Sequence, residues 1–149
     1  MGNLNETPSA NRLHIGIYGK TNSGKSSLIN AVTKQEVSIV ADVAGTTTDP
    51  VYKPMEIHPL GPCVIIDTAG FDDDSELGER RIEKTHLAAE KTDIAVVVLD
   101  IAEVIAAKKA GVPFKKAFKD EAEWSLLFAK KHTPVVFALN KIDEILLSA

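Results

Sequence analysis

Cysteine is nearly missing from this sequence. Cys63 stands alone among 149 residues, so no internal disulfide can form and no cysteine cluster can hold zinc or an iron–sulfur centre. In the apolar run CVIID it reads as a small buried thiol. A surplus of positive charge is missing too: 17 Lys and Arg against 21 Asp and Glu leave a net charge of −4. A surface built to neutralise nucleic-acid phosphates needs the opposite balance, so nucleic acid is not an expected partner. The local exception, Lys108, Lys109, Lys115, Lys116 and Lys119, reads as a solvated helix face or loop. No apolar run approaches the ~18–20 residues that cross a bilayer. The opening MGNLNETPSANR has neither the basic region nor the hydrophobic segment of a secretory leader, and Glu6 breaks the myristoylation pattern at Gly2. These absences predict a cytoplasmic chain with no membrane partner.

What is present suits one soluble domain, with 44% hydrophobic and 26% charged residues. Residues 1–12 are polar, contain Pro8 and read as a flexible arm; 13–149 read as the folded domain. LHIGIY (13–18) alternates and stops at Gly19, as a strand meeting a turn does. GKSSLINAVTK (24–34) places Leu28, Ile29 and Val32 at helical spacing. Residues 35–50 lack a helical stripe and read as a polar loop. VYKPMEIH and PCVIID form two strands joined by a short turn. After the acidic loop around Asp72–Asp74, RRIEKTHLAAEKT is a helix with Ile82, Leu87 and Ala89 facing inward. IAVVVLD (94–100) is almost continuously apolar, as for a strand covered on both faces. IAEVIAAKKA is a short helix ended by GVP. DEAEWSLLFAKKH is a longer one with Trp124, Leu127 and Phe128 on one side, and PVVFALN (134–140) is the last strand. Strands alternating with helices imply a mostly parallel sheet with helices on both faces, and the hairpin strand supplies an antiparallel edge.

In such sheets ligands sit at the carboxyl ends of strands, and four informative stretches fall there. GKTNSGKS, Gly19 to Ser26, fits the phosphate-loop pattern between a strand and a helix. Backbone amides from Asn22 through Ser23 to Ser27 converge on phosphate at a helix start. Gly24 permits close approach, Lys25 reaches the outer phosphates, and the Ser26 hydroxyl ligates magnesium. DTAG follows a strand: Asp67 suits magnesium through water, and Gly70 lets the loop rearrange around a terminal phosphate. NKID supplies Asn140, Lys141 and Asp143. The Asp143 carboxylate can accept from guanine N1–H and N2–H₂, a donor pair that adenine lacks. Asn140 suits the opposite edge of the base, and the Lys141 stem its face. ADVAGTTTDP offers three threonines between the first helix and second strand, one of them placed for the magnesium shell. Together the four specify GTP over ATP. His14, His58, His86 and His132 have no spacing for metal or nucleophilic catalysis and read as structural or surface residues.

The stretches NETPSANRLHIGIYGKTNSGKSSLINAVT, VADVAGTTTDPVYKPMEI, DTAGFDDDSELGERRIEKT and NKID resemble the translation-factor-like small GTPases, in the branch typified by TrmE. Within that branch they resemble most the HydF family, the maturation GTPases of [FeFe]-hydrogenase. The similarity runs over most of the chain. GTTTDPVYK is its specific part, since relatives commonly carry Gly-Thr-Thr-Arg-Asp there. The resemblance implies a Ras-like, three-layer α/β P-loop NTPase fold and slow GTP hydrolysis with Mg2+ and K+. It implies Asn22 as a potassium ligand, with carbonyls around Ala41 and Val43 completing that site. Thr47 becomes the magnesium-binding threonine beside Thr46, and Lys25, Thr47 and Gly70 the catalytic group. Phe71 stands where other GTPases carry a water-orienting glutamine.

The resemblance also implies partners: other hydrogenase maturation proteins, reached through switch loops or further domains, and pairing of two G domains. Family members carry a dimerisation domain and an iron–sulfur domain, whose cysteines this sequence lacks. Family members also continue past NKID through a helix, a sixth strand and a closing helix, so the fold is expected to be truncated before the last strand and helix, leaving strand 134–140 as an exposed edge. Two other readings stay open: a TrmE-like GTPase in tRNA modification or ribosome biology, and a nucleotide-binding fragment without turnover.

Overall fold

The computed structural model describes residues 12–20, 23–33, 51–68 and 78–143. Its strands are short runs of β-branched and aliphatic residues: β1 (Leu13–Gly19), β2 (Val51–Ile57), β3 (Gly61–Asp67), β4 (Ile94–Asp100) and β5 (Val135–Asn140). Between them lie α1 (Lys25–Thr33), α2 (Gly78–Lys91), α3 (Ile101–Lys109), α4 (Phe114–Ala117) and α5 (Lys119–Lys130). The strands form one sheet in the order β2-β3-β1-β4-β5. All neighbours are parallel except β2 and β3. Their short connection makes a hairpin, and Gly61 opens β3 with φ of 87°, a conformation other residues reach at a cost.

Alternation along β1 and β4 sorts the core into two layers. Ala95, Val97 and Leu99 join Tyr18, Ala89, Phe118 and Phe128 on the face covered by α2 and α5. Val98 and, partly buried, Val96 join Ile15, Ile17, Cys63, Ile65 and Ile29 on the face covered by α1. A strand with helices above and below must be apolar on both sides, which explains the unbroken IAVVVLD. Cys63 is a free, fully buried thiol, as expected. The lysines at 108, 109, 115, 116 and 119 are exposed. No helix among the described residues is long and apolar enough to cross a membrane.

Three expectations need correction. Leu87 does not face inward; it is 55% exposed, and the buried stripe of α2 is Thr85, Ala88 and Ala89, continued by Thr92 just past the helix end. Those positions follow the i, i+3, i+4, i+7 rule with small residues, which let the helix lie close to the sheet. Val32, near the end of α1, is exposed rather than core, so Ile29 is the buried anchor of that helix. Arg12, assigned to the flexible arm, is buried at the entry to β1. Ile82 and the loops 35–50 and 69–77 lie outside what is described, as does the arm up to residue 11.

Tyr18 shows how the α5 side is closed. Its ring meets Phe128 edge-on at 4.9 Å and Trp124 at 6.0 Å. Thr92 Oγ1 donates to the Ala88 carbonyl at 2.8 Å, so the Tyr18 hydroxyl donates to Thr92 Oγ1 at 2.9 Å. Burial pushes the phenol from 10.0 up to about 12, against the pull of that hydrogen bond. The neutral phenol therefore contributes fully below its ordinary pKa of 10.0, and the contribution is lost as pH rises towards about 12. Tyr18→Phe should cost about 1 kcal/mol in denaturant unfolding at neutral pH. It should also flatten the fall in stability over that alkaline range.

Candidate nucleotide site

Parallel register brings the ends of four strands to one edge. Ile17 of β1 stands beside Asp67 of β3, Gly19 beside Val98 of β4, and Asp100 of β4 beside Asn140 of β5. The loops that leave these ends carry the residues singled out by sequence, and backbone hydrogen bonds shape the first loop. Ser23 donates twice to the Lys20 carbonyl, from its amide at 3.0 Å and its hydroxyl at 2.7 Å. Leu28 then donates to the Gly24 carbonyl at 3.0 Å, which starts α1.

Lys25, the first residue of α1, is 4% exposed. Its ammonium donates to the Gly19 carbonyl at 2.8 Å and the Thr68 carbonyl at 3.4 Å, spanning the ends of β1 and β3. Thr68 is itself fixed, donating to the Ile17 carbonyl at 2.6 Å. This places the lysine at the helix start, where backbone amides and the helix dipole favour an anion. Ser26 and Ser27 are exposed on the first turn of α1.

Asn140 ties the guanine-reading stretch to the phosphate loop. Its amide nitrogen donates to the carbonyls of Ser23 at 3.0 Å and Gly24 at 3.3 Å. Gly24 has φ of 87°, and a Cβ there would overlap that same amide nitrogen. Lys141 follows in the left-handed region with φ of 67°. Its ammonium reaches Asp100 Oδ2 at 3.2 Å, and its stem passes by Gly24. Asp143 is exposed beyond the strand end.

Asp67 is 3% exposed and faces Lys53, whose ammonium lies 3.6 Å from Oδ2. That ammonium is buried and has no hydrogen-bond acceptor among the described residues. Asp67 is thus a carboxylate held against a cation at the strand end. The magnesium and potassium expectations at Thr47 and Asn22 lie outside the described residues, as do Thr46, Gly70, Phe71, Ala41 and Val43.

Structure therefore brings together Gly19, Ser23, Gly24, Lys25, Asp67 and Asn140, with Lys141 beside Gly24, while Ser26, Ser27 and Asp143 are exposed. Sequence reasoning passed over Lys53, Thr68 and Asp100. Lys53 was visible as a charge sharing a strand face with Met55 and Ile57. Asp100 was visible as a strand-end aspartate preceding a helix, and its Oδ1 accepts from the Ala102 amide at 2.9 Å as an N-cap. A shallow polar cleft of about 330 Å3 beside Thr92, Asp93 and His132 lies at the opposite, amino-terminal end of β4 and β5.

This sheet order, with a glycine loop entering α1 and Asn140 closing on it, is the α/β fold of the P-loop GTPases. The family described as 50S ribosome-binding GTPase matches residues 14–141, and the chain belongs to it. It is 46% identical over 100 residues to GTPase Der of Wolinella succinogenes, covering 65% of this chain and 21% of that protein. It is 34% identical to the tRNA modification GTPase MnmE of Ehrlichia canis, covering 97% of this chain and 36% of that protein. Among solved structures, Era in complex with MgGDPNP and a 16S ribosomal RNA fragment superposes with a TM-score of 0.62 at 27% identity. That match covers 89% of this chain and 41% of the Era chain. The chain thus spans a minor part of the length of these relatives.

The overlap at Gly24 generates a test of the loop. Gly24→Ala should lose about 2 kcal/mol of stability from strain at positive φ and from displacing the Asn140 amide. Combined with Asn140→Ala it should lose less than the sum of the two single changes, because the obstructed group is gone. Denaturant unfolding of the four chains checks this.

Proposed function

We propose that this domain binds GTP with magnesium and hydrolyses it slowly, as a switch in [FeFe]-hydrogenase maturation of the HydF type. The observation that carries hydrolysis is the pairing of buried Lys25 with an Asn140 fastened to the same loop. One end of the site receives phosphate and the other reads guanine, at a spacing set by two hydrogen bonds. On this reading Lys25 exchanges its carbonyl partners for phosphate oxygens, and the amides from Ser23 to Ser27 receive the rest. Ser26, Thr47 and Asp67 would hold magnesium, which would neutralise phosphate charge. Asn22, with carbonyls near Ala41 and Val43, would hold potassium, and Thr46 and Gly70 would serve the terminal phosphate. Asp143 supplies guanine selectivity.

The maturation assignment is supported by GTTTDPVYK, residues 45–53, where Thr48 replaces the arginine common in relatives. The last residue of that stretch is Lys53, the counter-ion of Asp67. A TrmE-like role in tRNA modification or ribosome biology is the second reading, favoured by the MnmE match along 97% of the chain. Capture of hydrogenase maturation proteins, against binding of tRNA or ribosomal RNA, separates the two.

Phosphate release from GTP by the chain should exceed that from ATP by about 10⁴-fold at equal nucleotide, since adenine leaves Asp143 unpaired. It should be several-fold faster in potassium than in sodium. Equal rates in the two salts would remove Asn22 from a potassium site, while equal rates with the two nucleotides would remove Asp143 from the base site. Lys53→Met deletes a cation beside Asp67. It should lower the magnesium concentration needed to slow GDP dissociation by about tenfold, given ~1–4 kcal/mol for charges at this separation before screening.

A further inference from the structure

Glu121 has no place in the chemistry above, yet it is a carboxylate 2% exposed in the first turn of α5. A carboxylate taken out of water costs free energy unless a partner offsets it. Burial does push the Glu121 carboxyl up from its ordinary range, opposed by its own backbone amide and by Lys20. Lys20 is the first residue after β1, and its ammonium lies 3.6 Å from Glu121 Oε1. It also lies 5.9 Å from the centre of the Phe118 ring, a cation over an aromatic face. At that separation Oε1 has no hydrogen bond among the described residues.

The main chain of the same lysine is a fixed point of the phosphate loop, because its carbonyl receives both hydrogen bonds from Ser23. Lys20 therefore joins the loop's turn to α5. Its side chain takes the α5 side, as Tyr18 does two residues earlier, while Lys25 turns to the carbonyls of Gly19 and Thr68. Stability alone does not call for this pair, since an apolar side chain at 121 would fill the same space without a desolvation cost. We propose that Lys20 and Glu121 are a positioning pair, by which α5 presets the phosphate loop for nucleotide before it binds. This role rests on the nucleotide reading above.

The test compares the 149-residue chain with Lys20→Met, Glu121→Gln, Glu121→Met and the double Lys20→Met/Glu121→Met. GDP affinity and dissociation rate are measured with a fluorescent GDP analogue, and stability by thermal unfolding. Each single change should weaken GDP about tenfold, as loss of one partner of a partly buried ion pair does. The double should fall no further than the worse single. Glu121→Met should bind GDP less tightly while melting no lower than the parent, a split that a merely structural role would not produce. Unchanged GDP binding in the Glu121 variants, multiplied losses in the double, or affinity loss that only tracks melting would overturn the pair. A parent chain that bound neither GDP nor GTP would instead overturn the nucleotide site on which the pair depends.

Discussion

The amide of Asn140 is the point on which the site's geometry turns. It spans 117 and 116 residues of sequence to reach the carbonyls of Ser23 and Gly24. The Gly24 carbonyl is also the first acceptor of α1, through Leu28. One side-chain amide therefore fixes the distance between the end of β5 and the start of α1. The glycine follows from the same constraint, because a Cβ at position 24 would occupy the amide's place. What looks in sequence like two separate motifs is one hydrogen-bonded unit in space.

Around this unit four lysines are each assigned to an oxygen. Lys141 faces Asp100, Lys53 faces Asp67, Lys20 faces Glu121, and Lys25 donates to the carbonyls of Gly19 and Thr68. The difference in acceptor matters. Carbonyl oxygens are neutral, and charged phosphate oxygens make stronger hydrogen bonds to an ammonium. On the proposed reading, Lys25 would exchange these neutral acceptors for charged phosphate oxygens. A lysine facing a buried carboxylate would leave that charge behind, so Lys53 and Lys20 are suited to holding a framework. Asp100 adds a second economy of structure, since one oxygen starts α3 and the other fixes Lys141.

Most of this fold was legible because the sheet is simple. IAVVVLD could be nothing but a central strand, and its alternate residues do divide between two cores. The hairpin and the helix through Trp124 and Phe128 followed from pattern, while the exposed edge at Val136, Phe137 and Leu139 was expected only through the family resemblance. Helix α2 was misread at Leu87 because hydrophobicity was weighed above size. Close packing against the sheet selects Ala88, Ala89 and two threonines, whose hydroxyls can bond within the helix. In the site, local motifs disclosed Gly24, Lys25, Asp67 and Asn140. Lys53 and Asp100 carried local signals, a hairpin position and a strand end before a helix, but Glu121 stayed hidden because its partner Lys20 is distant in sequence and no spacing rule links them.

The layout of α5 explains why core and site are not independent. Glu121, Trp124 and Phe128 lie at i, i+3 and i+7 and so share one face of the helix. That face runs along β1, where Phe128 and Trp124 meet Tyr18 and Glu121 meets Lys20 two residues further on. Moving up the strand towards the loop is moving back along the helix towards its first turn, so the two run antiparallel. The aromatic contacts fix the helix at its buried end, and the helix then carries its first turn to the loop as a rigid arm. A shift of α5 along β1 would move Tyr18 and Lys20 together. The packing that stabilises the α5 side of the sheet is thus the same contact that locates the start of the phosphate loop.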